Sequence, residues 1–572
     1  AGIIIDQALQ VQHNHPSGKF KAVWVSLNSG LEQISIDEIQ TVQTIIPTLN
    51  LQQIDDDTDK TFSNYQWRYT TYTKMKESTK YNNIVDWLSS TPHSLIIFDE
   101  VHTLKNIKDN IINKLFEHLP KIAVVYSSAT PLFKVDHMKY MKYLELWGSE
   151  TSSFKTFYDF KKALGTSGLA AMEMLSLELK RQGKYLSRTL SFDGMNVSTL
   201  NIILNRKQRK LYNDSCKLWE EIINSQPSGT SFRQTVWGKH LSYFKDLITQ
   251  IKTSHTIPYI AERLKNPNNT IVVGLQKTGG CSYYNMKNGV VDEHIPNILF
   301  HNLMSIIDFL QPNEENSLVV DKINAFVNYY KGFIEDVLPL NATDAIRIYC
   351  EKNNISVGEI TGRKQRLHYN SDTQQMEIIS RSSNTMNKWA CEEFQKNNLR
   401  VIIISAAGSS GISLHSTDPN IHRIYISVEL PYSTDAFIQQ LGRTHRSSQA
   451  NISSVVFSMT NIPGEMRFYN SLIRRLNTLG AMTQGDRDSS SMITKHISSM
   501  MLSNTNVMKK ILRKMFHYIL FKNAYNVIRE TMPHINDFTN CRNLSTRVLW
   551  GIHDVDKLKD RYAKIVAETL EF

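Results

Sequence analysis

Short apolar runs rich in β-branched and aromatic residues recur along the chain, at Ala22 to Leu27, Leu95 to Phe98, Ala123 to Tyr126, Thr270 to Leu275, Val401 to Ser405, Ile424 to Glu429 and Ser454 to Met459. Helical stretches lie between them. Continuous runs of this length suit strands buried on both faces, and their alternation with helices predicts parallel sheets covered by helices. The runs fall into two groups. Between the groups, Leu200 to Ile260 is charged, contains aromatic residues and is predicted to be helical. A strand-poor stretch from Lys277 to Ile346 separates members of the second group and reads as an insertion, with QPNEENS as a surface loop within it. After Gly485 a serine-rich joint, DRDSSS, leads into Val507, Met508, Ile511, Leu512, Met515, Phe516, Ile519 and Leu520. That spacing makes one apolar helix face opposite lysines and arginines, expected to dock onto the second group.

Composition narrows the class. A chain of 572 residues with 41% hydrophobic content exceeds what one core organises, so at least two domains are expected. The 65 basic against 54 acidic residues give a formal charge of +11, which suits a polyanionic partner but equally suits a solvated basic surface. The five cysteines are widely spaced, with no CxxC pair and no histidine cluster, which excludes a zinc site of the usual spacing. No apolar run approaches the roughly 20 residues needed to cross a bilayer, so no membrane span is predicted. The opening AGIIIDQAL has neither a basic n-region nor an initiator methionine, and the chain is expected to be a fragment.

The chemistry begins at SLIIFDEVH, an apolar strand ending in Asp99, Glu100, Val101 and His102. A lone Asp-Glu pair after a strand is usually a solvated turn. At the carboxyl end of a parallel strand, where α/β sheets bind ligands, Asp99 can instead hold Mg2+ and Glu100 can orient and deprotonate an attacking water. A second strand, IAVVY, runs into Ser127, Ser128, Ala129, Thr130 and Pro131, whose hydroxyls can bond the acidic pair. Further on, VIIISAAGSSGISLH places Gly408, Ser409, Ser410 and Gly411 directly after a strand, where small residues let backbone amides approach phosphates. QQLGRTHRSSQ follows, with Gln439, Gly442, Arg443 and Arg446 in the pattern QxxGRxxR. Arginines three apart share a helix face, so both can reach one triphosphate; an arginine finger of this kind contributes about 10³ or more in rate.

Four such elements in this order resemble the superfamily 2 helicases and translocases. RTHRSSQ followed by PGEMRFYNSLIRRLNTLGAMTQGDR, together with VVGLQKTGG, ITGRK, VELPYSTDAFIQQLGRTHR, YMKYLELWG and RQGKYLSRTLSF, narrows the resemblance to the strawberry notch family of helicase-like proteins. It runs with gaps from Ala1 to about Arg487. The resemblance implies two RecA-like α/β lobes facing each other across an ATP cleft: residues 1–195, and 266–487 with a helical insertion at about 280–345. A helical connecting region over 196–265 and a C-terminal helical region over 488–572 complete the expected organisation. It also implies a glycine-rich phosphate loop just upstream of Ala1, without which this chain alone is expected to be inactive. HPSGKF does not substitute for that loop, because it lacks the preceding glycines and precedes a strand.

The implied activity is ATP-dependent helicase or translocase action on DNA or RNA, with ATP and Mg2+ as cofactors. The site residues implied are Asp99, Glu100, Arg443 and Arg446 for catalysis, with Asp99 on the metal. His102, Ser128, Thr130, Gly408, Ser410, Gly411, Gln439 and Gly442 would serve ATP binding and coupling. Nucleic acid would be held mainly by its backbone, at Ser26 and Asn28, Thr71 and Thr73, Gln276, Thr278 and Gly279, and Thr361 and Arg363. Trp147 and Trp237 could stack on a base but are expected in the core. His415 and His445, like His102, are expected in hydrogen bonds rather than on a metal. A non-enzymatic scaffold or transcriptional co-regulator is the alternative, and transcription or chromatin partners stay open.

Overall fold

The computed structural model describes residues 20–26, 67–101, 111–119, 122–128, 135–186, 195–224, 230–280, 289–290, 297–310, 317–405, 412–445 and 449–475, isolated positions within these ranges excepted. The chain builds two compact units, one on residues 1–190 and one on 191–474. The first holds β1 (Phe20–Ser26), β2 (Trp67–Thr71), β3 (His93–Phe98) and β4 (Ala123–Tyr126), with helices α1 (Ser78–Ser89), α2 (Ile111–His118) and α3 (Phe157–Arg181). Its sheet has the order β2-β1-β3-β4 and every pairing is parallel.

The sequence explains this arrangement locally. Ala22, Val23, Val25, Ile96, Ile97 and Phe98 are all 0% exposed, so β1 and β3 are covered on both faces, as their unbroken apolar runs require. Full burial of each larger aliphatic or aromatic side chain contributes roughly 1.5–3 kcal/mol. Helix α1 buries Tyr81, Ile84, Val85 and Leu88, one face at helical spacing. Helix α3 starts at a capping box in which the Asp159 amide donates to Thr156 Oγ1 (3.2 Å) and the Thr156 amide donates to Asp159 Oδ2 (3.2 Å).

In the second unit the strands are β5 (Asn196–Ile202), β6 (Asn269–Gly274), β7 (Gly289–Val290), β8 (Val357–Ile360), β9 (Gln365–Asn370), β10 (Gln375–Ser380), β11 (Val401–Ile404), β12 (His422–Ser427) and β13 (Ser454–Thr460). Six of them form an all-parallel sheet in the order β5-β13-β12-β6-β11-β8. The remaining three make a small antiparallel sheet, β7-β10-β9. Its helices are α4 (Arg206–Asn224), α5 (Thr230–Leu264), α6 (Ile298–Leu310), α7 (Ser317–Lys331), α8 (Ala342–Lys352), α9 (Ser383–Gln395) and α10 (Thr434–Thr444). The parallel α/β class read from the apolar runs is the class observed.

One stretch departs from its reading. Residues 196–265, expected to be helical throughout, open with β5, which pairs in parallel with β13 along its whole length. An edge strand is only partly covered, so NVSTLNI lacks the continuous apolar run that marks the central strands. Helices α4, α5, α6 and α7 then share one core, which includes Leu211, Trp219, Tyr243, Phe244, Leu303 and Ile323. The apolar segment Val507 to Leu520 lies outside the described residues. Among the described residues no helix is long and apolar enough to cross a membrane.

Candidate functional site

Strand order selects where a ligand can bind in each unit. In the first sheet the chain leaves β1 toward β2 but leaves β3 toward β4, so the carboxyl ends of β1 and β3 flank a topological switch point, the usual ligand crevice of α/β sheets. Asp99 lies there. Because Val25 pairs with Phe98, the next residues, Ser26 and Asp99, come together, and Ser26 Oγ donates to Asp99 Oδ2 at 3.3 Å. Phe98 likewise pairs with Tyr126, which brings the Ser127 hydroxyl onto the same carboxylate. The Glu100 amide donates to Asp99 Oδ1 (3.0 Å), and the Tyr72 hydroxyl donates to the Asp99 carbonyl (2.7 Å).

Burial, and then the neighbouring Glu100 carboxylate, push the Asp99 carboxyl above its ordinary value, against hydrogen bonds from the Glu100 amide, Ser26 and Ser127 that pull it down. A half-buried carboxylate in that state gains from a cation. Among the described residues no group of three or more histidines, cysteines or acids is placed to hold a metal. The chemistry of Asp99, a carboxylate oxygen donor, fits a hard ion such as Mg2+, which takes one or two carboxylates and completes its shell with waters and phosphate oxygens. Glu100 has φ +47°, the left-handed region, which costs a non-glycine residue about 1–2 kcal/mol. Strain of this kind persists only where the surroundings hold it, and here Val101 N donates to Ser127 O (3.0 Å) just beyond.

Two expectations change in this unit. Ser26 was placed on the nucleic-acid path, but it is 0% exposed and bonded to Asp99. Thr71, which pairs with Ser26 across β1 and β2, is also buried, and its Oγ1 accepts the Lys74 amide (3.3 Å). Among the described members of that group, Thr73 alone is exposed. Ser128 is half-buried, and the Ser127 hydroxyl beside it lies on the Asp99 carboxylate. Ser127 is among the hydroxyls expected to bond the acidic pair, and the in-register pairing of the two strands places it on Asp99. His102, Thr130 and Asn28 lie outside the described residues.

In the second unit the chain leaves β6 toward β8 and leaves β12 toward β13, which puts the switch point between the carboxyl ends of β6 and β12. Helix α10 follows β12 and is capped by Ser433 Oγ, which accepts the Ala436 amide at 3.2 Å. Gln439 and Gly442 are half-buried, and a Cβ on Gly442 would meet open space. Arg443 is buried; its Nη1 donates to the Ile412 carbonyl (3.3 Å) and its own carbonyl accepts Leu414 N (2.8 Å). The arginine helix is thereby stitched to segment 412–414. Burial raises the Cys391 thiol and the Tyr425 hydroxyl, and the nearby Arg443 charge opposes both shifts. His415 Nδ1 bonds Ser413 Oγ (2.6 Å) and His445 Nδ1 bonds Gln449 Nε2 (3.1 Å), as expected of hydrogen-bonding histidines. Arg446, Gly408, Ser410 and Gly411 lie outside the described residues.

The turn after β6 presents Gln276 and Thr278 half-buried beside Lys277. The Gln276 and Lys277 amides both donate to Glu429 Oε2, at 2.8 and 3.1 Å, and Lys277 Nζ pairs with Asp246 (2.7 Å). Gly279 has φ +69°, and a Cβ there would lie 2.5 Å from Asn341 Cβ, so only glycine fits. Thr361 and Arg363, by contrast, are buried. Thr361 is 0% exposed and bonded to Glu359, while Arg363 pairs with Glu359 (2.6 Å) and Asp344 (2.6 Å). Their polar groups are used up in a buried ion cluster completed by Arg347 and Arg381. Trp147 packs on Phe157 and Phe160 in the core, as expected, but Trp237 is 45% exposed, edge-on to His240.

Residues 1–214 match the family described as P-loop containing NTP hydrolase pore-1, and residues 351–567 match the C-terminal domain on strawberry notch homologue. Similar curated proteins include rat strawberry notch homolog 1, 27% identical over 72% of this chain and 41% of the relative. Mouse strawberry notch homolog 2 is 26% identical over 85% of this chain and 44% of its own length. FORGETTER 1 of Arabidopsis thaliana is 23% identical over 83% of this chain and 50% of its own. The chain thus spans half or less of the length of these relatives. Among solved structures, the DUF1998 helicase MrfA bound to DNA gives a TM-score of 0.37 at 13% identity, over 83% of this chain and 49% of that one. The Sulfolobus solfataricus SWI2/SNF2 ATPase core in complex with dsDNA gives 0.27 at 14%, over 88% and 89%.

Proposed function

The chain belongs to the strawberry notch family of helicase-like proteins, and from that premise we propose that it is the motor portion of an ATP-driven nucleic-acid translocase. The family is of the P-loop NTPase type. The observation that carries the proposal is the half-buried Asp99 carboxylate at a switch point, gripped by Ser26, Ser127 and the Glu100 amide and raised by partial burial.

In this reading Asp99 would hold Mg2+, which when bound would supply charge neutralisation for the phosphates of ATP. Glu100, set in a strained backbone conformation just past the strand, orients the attacking water and takes its proton. Arg443 and Arg446 offset the charge that develops on the transferred phosphoryl group, as arginine fingers do. Gln276, Thr278 and Gly279 hold the sugar-phosphate backbone through amide, hydroxyl and main-chain groups. Hydrolysis then alternates a gripping and a releasing state, and strand is passed along.

The test uses the protein at its full natural length. ATP hydrolysis is expected to rise on addition of nucleic acid, and Glu100→Gln is expected to lower turnover by about 100-fold or more while nucleotide binding persists. Unchanged hydrolysis by that variant refutes the role of Glu100. Strand-displacement and triplex-displacement assays run side by side separate unwinding from translocation along an intact duplex.

A further inference from the structure

The turn after β6 and the helix bearing Arg443 are joined through the interior of the second unit. Gln440 lies on α10 three residues before Arg443 and is 2% exposed. Its Oε1 accepts the Tyr425 hydroxyl at 2.9 Å, and its Nε2 donates to the carbonyl of Leu275 at 3.4 Å, the residue immediately before the turn Gln276 to Gly279. Tyr425 stands on β12 beside β6, and it can reach Gln440 because Gly274 leaves room: a Cβ on Gly274 would come within 2.2 Å of the Tyr425 hydroxyl oxygen. The opposite side of the turn is held as well. Glu429, 4% exposed, accepts both the Gln276 and the Lys277 amides and pairs with Lys245 of α5 at 3.4 Å.

The backbone on either side of the Leu275–Gln276 peptide is therefore fixed by buried side chains, a carbonyl by Gln440 and two amides by Glu429. Buried polar groups lose their partners only at a substantial penalty, because no water replaces them. A displacement of α10 must then either carry Leu275 with it or orphan the Gln440 amide. The bland alternative is a core glutamine that is merely satisfied, which predicts no link between the two ends.

We propose that Gln440 is a positioning residue, a buried strut that makes the turn Gln276 to Gly279 follow movements of the Arg443 helix, with Tyr425 orienting its amide. The proposal rests on the reading of Arg443 as a nucleotide contact and of the turn as a nucleic-acid contact. It adds the route by which the state of the one reaches the other.

The experiment measures two quantities on the full-length protein: ATP turnover, and the affinity for a labelled oligonucleotide with and without a non-hydrolysable ATP analogue. DNA and RNA of one sequence are compared in the wild type, and the tighter binder is carried forward. Gln440→Glu keeps an oxygen for Tyr425 but has no N–H for Leu275; Tyr425→Phe keeps the ring packing and removes the hydroxyl. In both variants the nucleotide-dependent ratio of affinities is expected to collapse toward one, by about fivefold or more in Gln440→Glu and less in Tyr425→Phe. Basal turnover should stay within about twofold. A ratio that is unchanged in both variants overturns the strut, as does a loss of turnover with the ratio preserved, which is how a merely structural glutamine would behave. A wild-type protein whose nucleic-acid affinity ignores nucleotide sinks the motor reading and the strut together, whereas intact wild-type coupling that survives Gln440→Glu removes the strut alone.

Discussion

Asp99 is held at some expense to the nucleotide-free protein, because burial and the adjacent Glu100 raise its carboxyl above the unfolded value. The sign of the linkage follows: the folded state binds that proton more tightly, so the penalty is absent below the unfolded pKa and grows as pH rises through the raised one. Asp99→Asn removes the penalty while keeping hydrogen-bonding capacity. Its melting temperature without nucleotide is expected to equal or exceed that of the wild type near neutral pH, with the difference vanishing in acid, while ATP hydrolysis is lost. Such opposition of stability and activity is common where a site is strained for function. A clear fall in melting temperature for Asp99→Asn at neutral pH contradicts this account. Ser127→Ala should lower turnover by roughly 10–150-fold, the equivalent of one hydrogen bond to a charged group at about 1.5–3 kcal/mol; an unaltered rate means that the Ser127 hydroxyl does not matter to the carboxylate.

At the scale of single elements, charge buried along β8 and α5 organises the second unit. On β8, Glu359 meets the guanidinium groups of Arg363, Arg381 and Arg347; burial alone would raise its carboxyl, and the three cations, Arg363 first, bring it down to about 2. A depressed carboxyl contributes stability above its unfolded value near 4.3, and that contribution fades as pH falls toward about 2. Glu359→Gln removes the carboxylate that Arg363, Arg381 and Arg347 share and is expected to destabilise the protein by about 3–5 kcal/mol in denaturant titrations at neutral pH. A loss under about 1 kcal/mol would mean that water or Asp344 compensates the arginines. Helix α5 buries Lys245, Asp246 and Lys252 together with Tyr243, Phe244 and Ile251, and each charge finds a partner far along the chain: Glu429, Lys277 and Glu465. Its mixture of charged and apolar residues therefore hides a helix buried on more than one side. At the end of the turn after β6, Gly279→Ala meets both a left-handed φ and the Asn341 side chain, so a loss of about 1–3 kcal/mol is expected, with weaker nucleic-acid binding.

For the molecule as a whole, the formal charge of +11 and the expectation of backbone contacts make one joint prediction. Affinity for nucleic acid should fall by at least tenfold between about 50 and 200 mM salt, through counterion release, with little dependence on base sequence. Binding that ignores salt would remove the phosphate-backbone reading. The apolar runs by themselves determined the parallel α/β class, because strands buried on both faces need unbroken apolar sequence whatever their neighbours. The motif around Asp99 and the QxxGR series around Arg443 read as chemistry only together, since each alone is ordinary and it is their common order along one chain that is unusual. Tertiary structure decided which candidates face the ligand crevice and which the interior. Ser26 and Ser127 meet Asp99 only through the registers of β1 with β3 and β3 with β4, and Arg363 turns inward only because Glu359 and Asp344 wait there. Strand β5 escaped notice for the same reason, as its place is set by pairing with β13, far away in the chain. Local sequence specifies what a segment can be, but the direction of a polar side chain depends on partners that only the folded chain brings near.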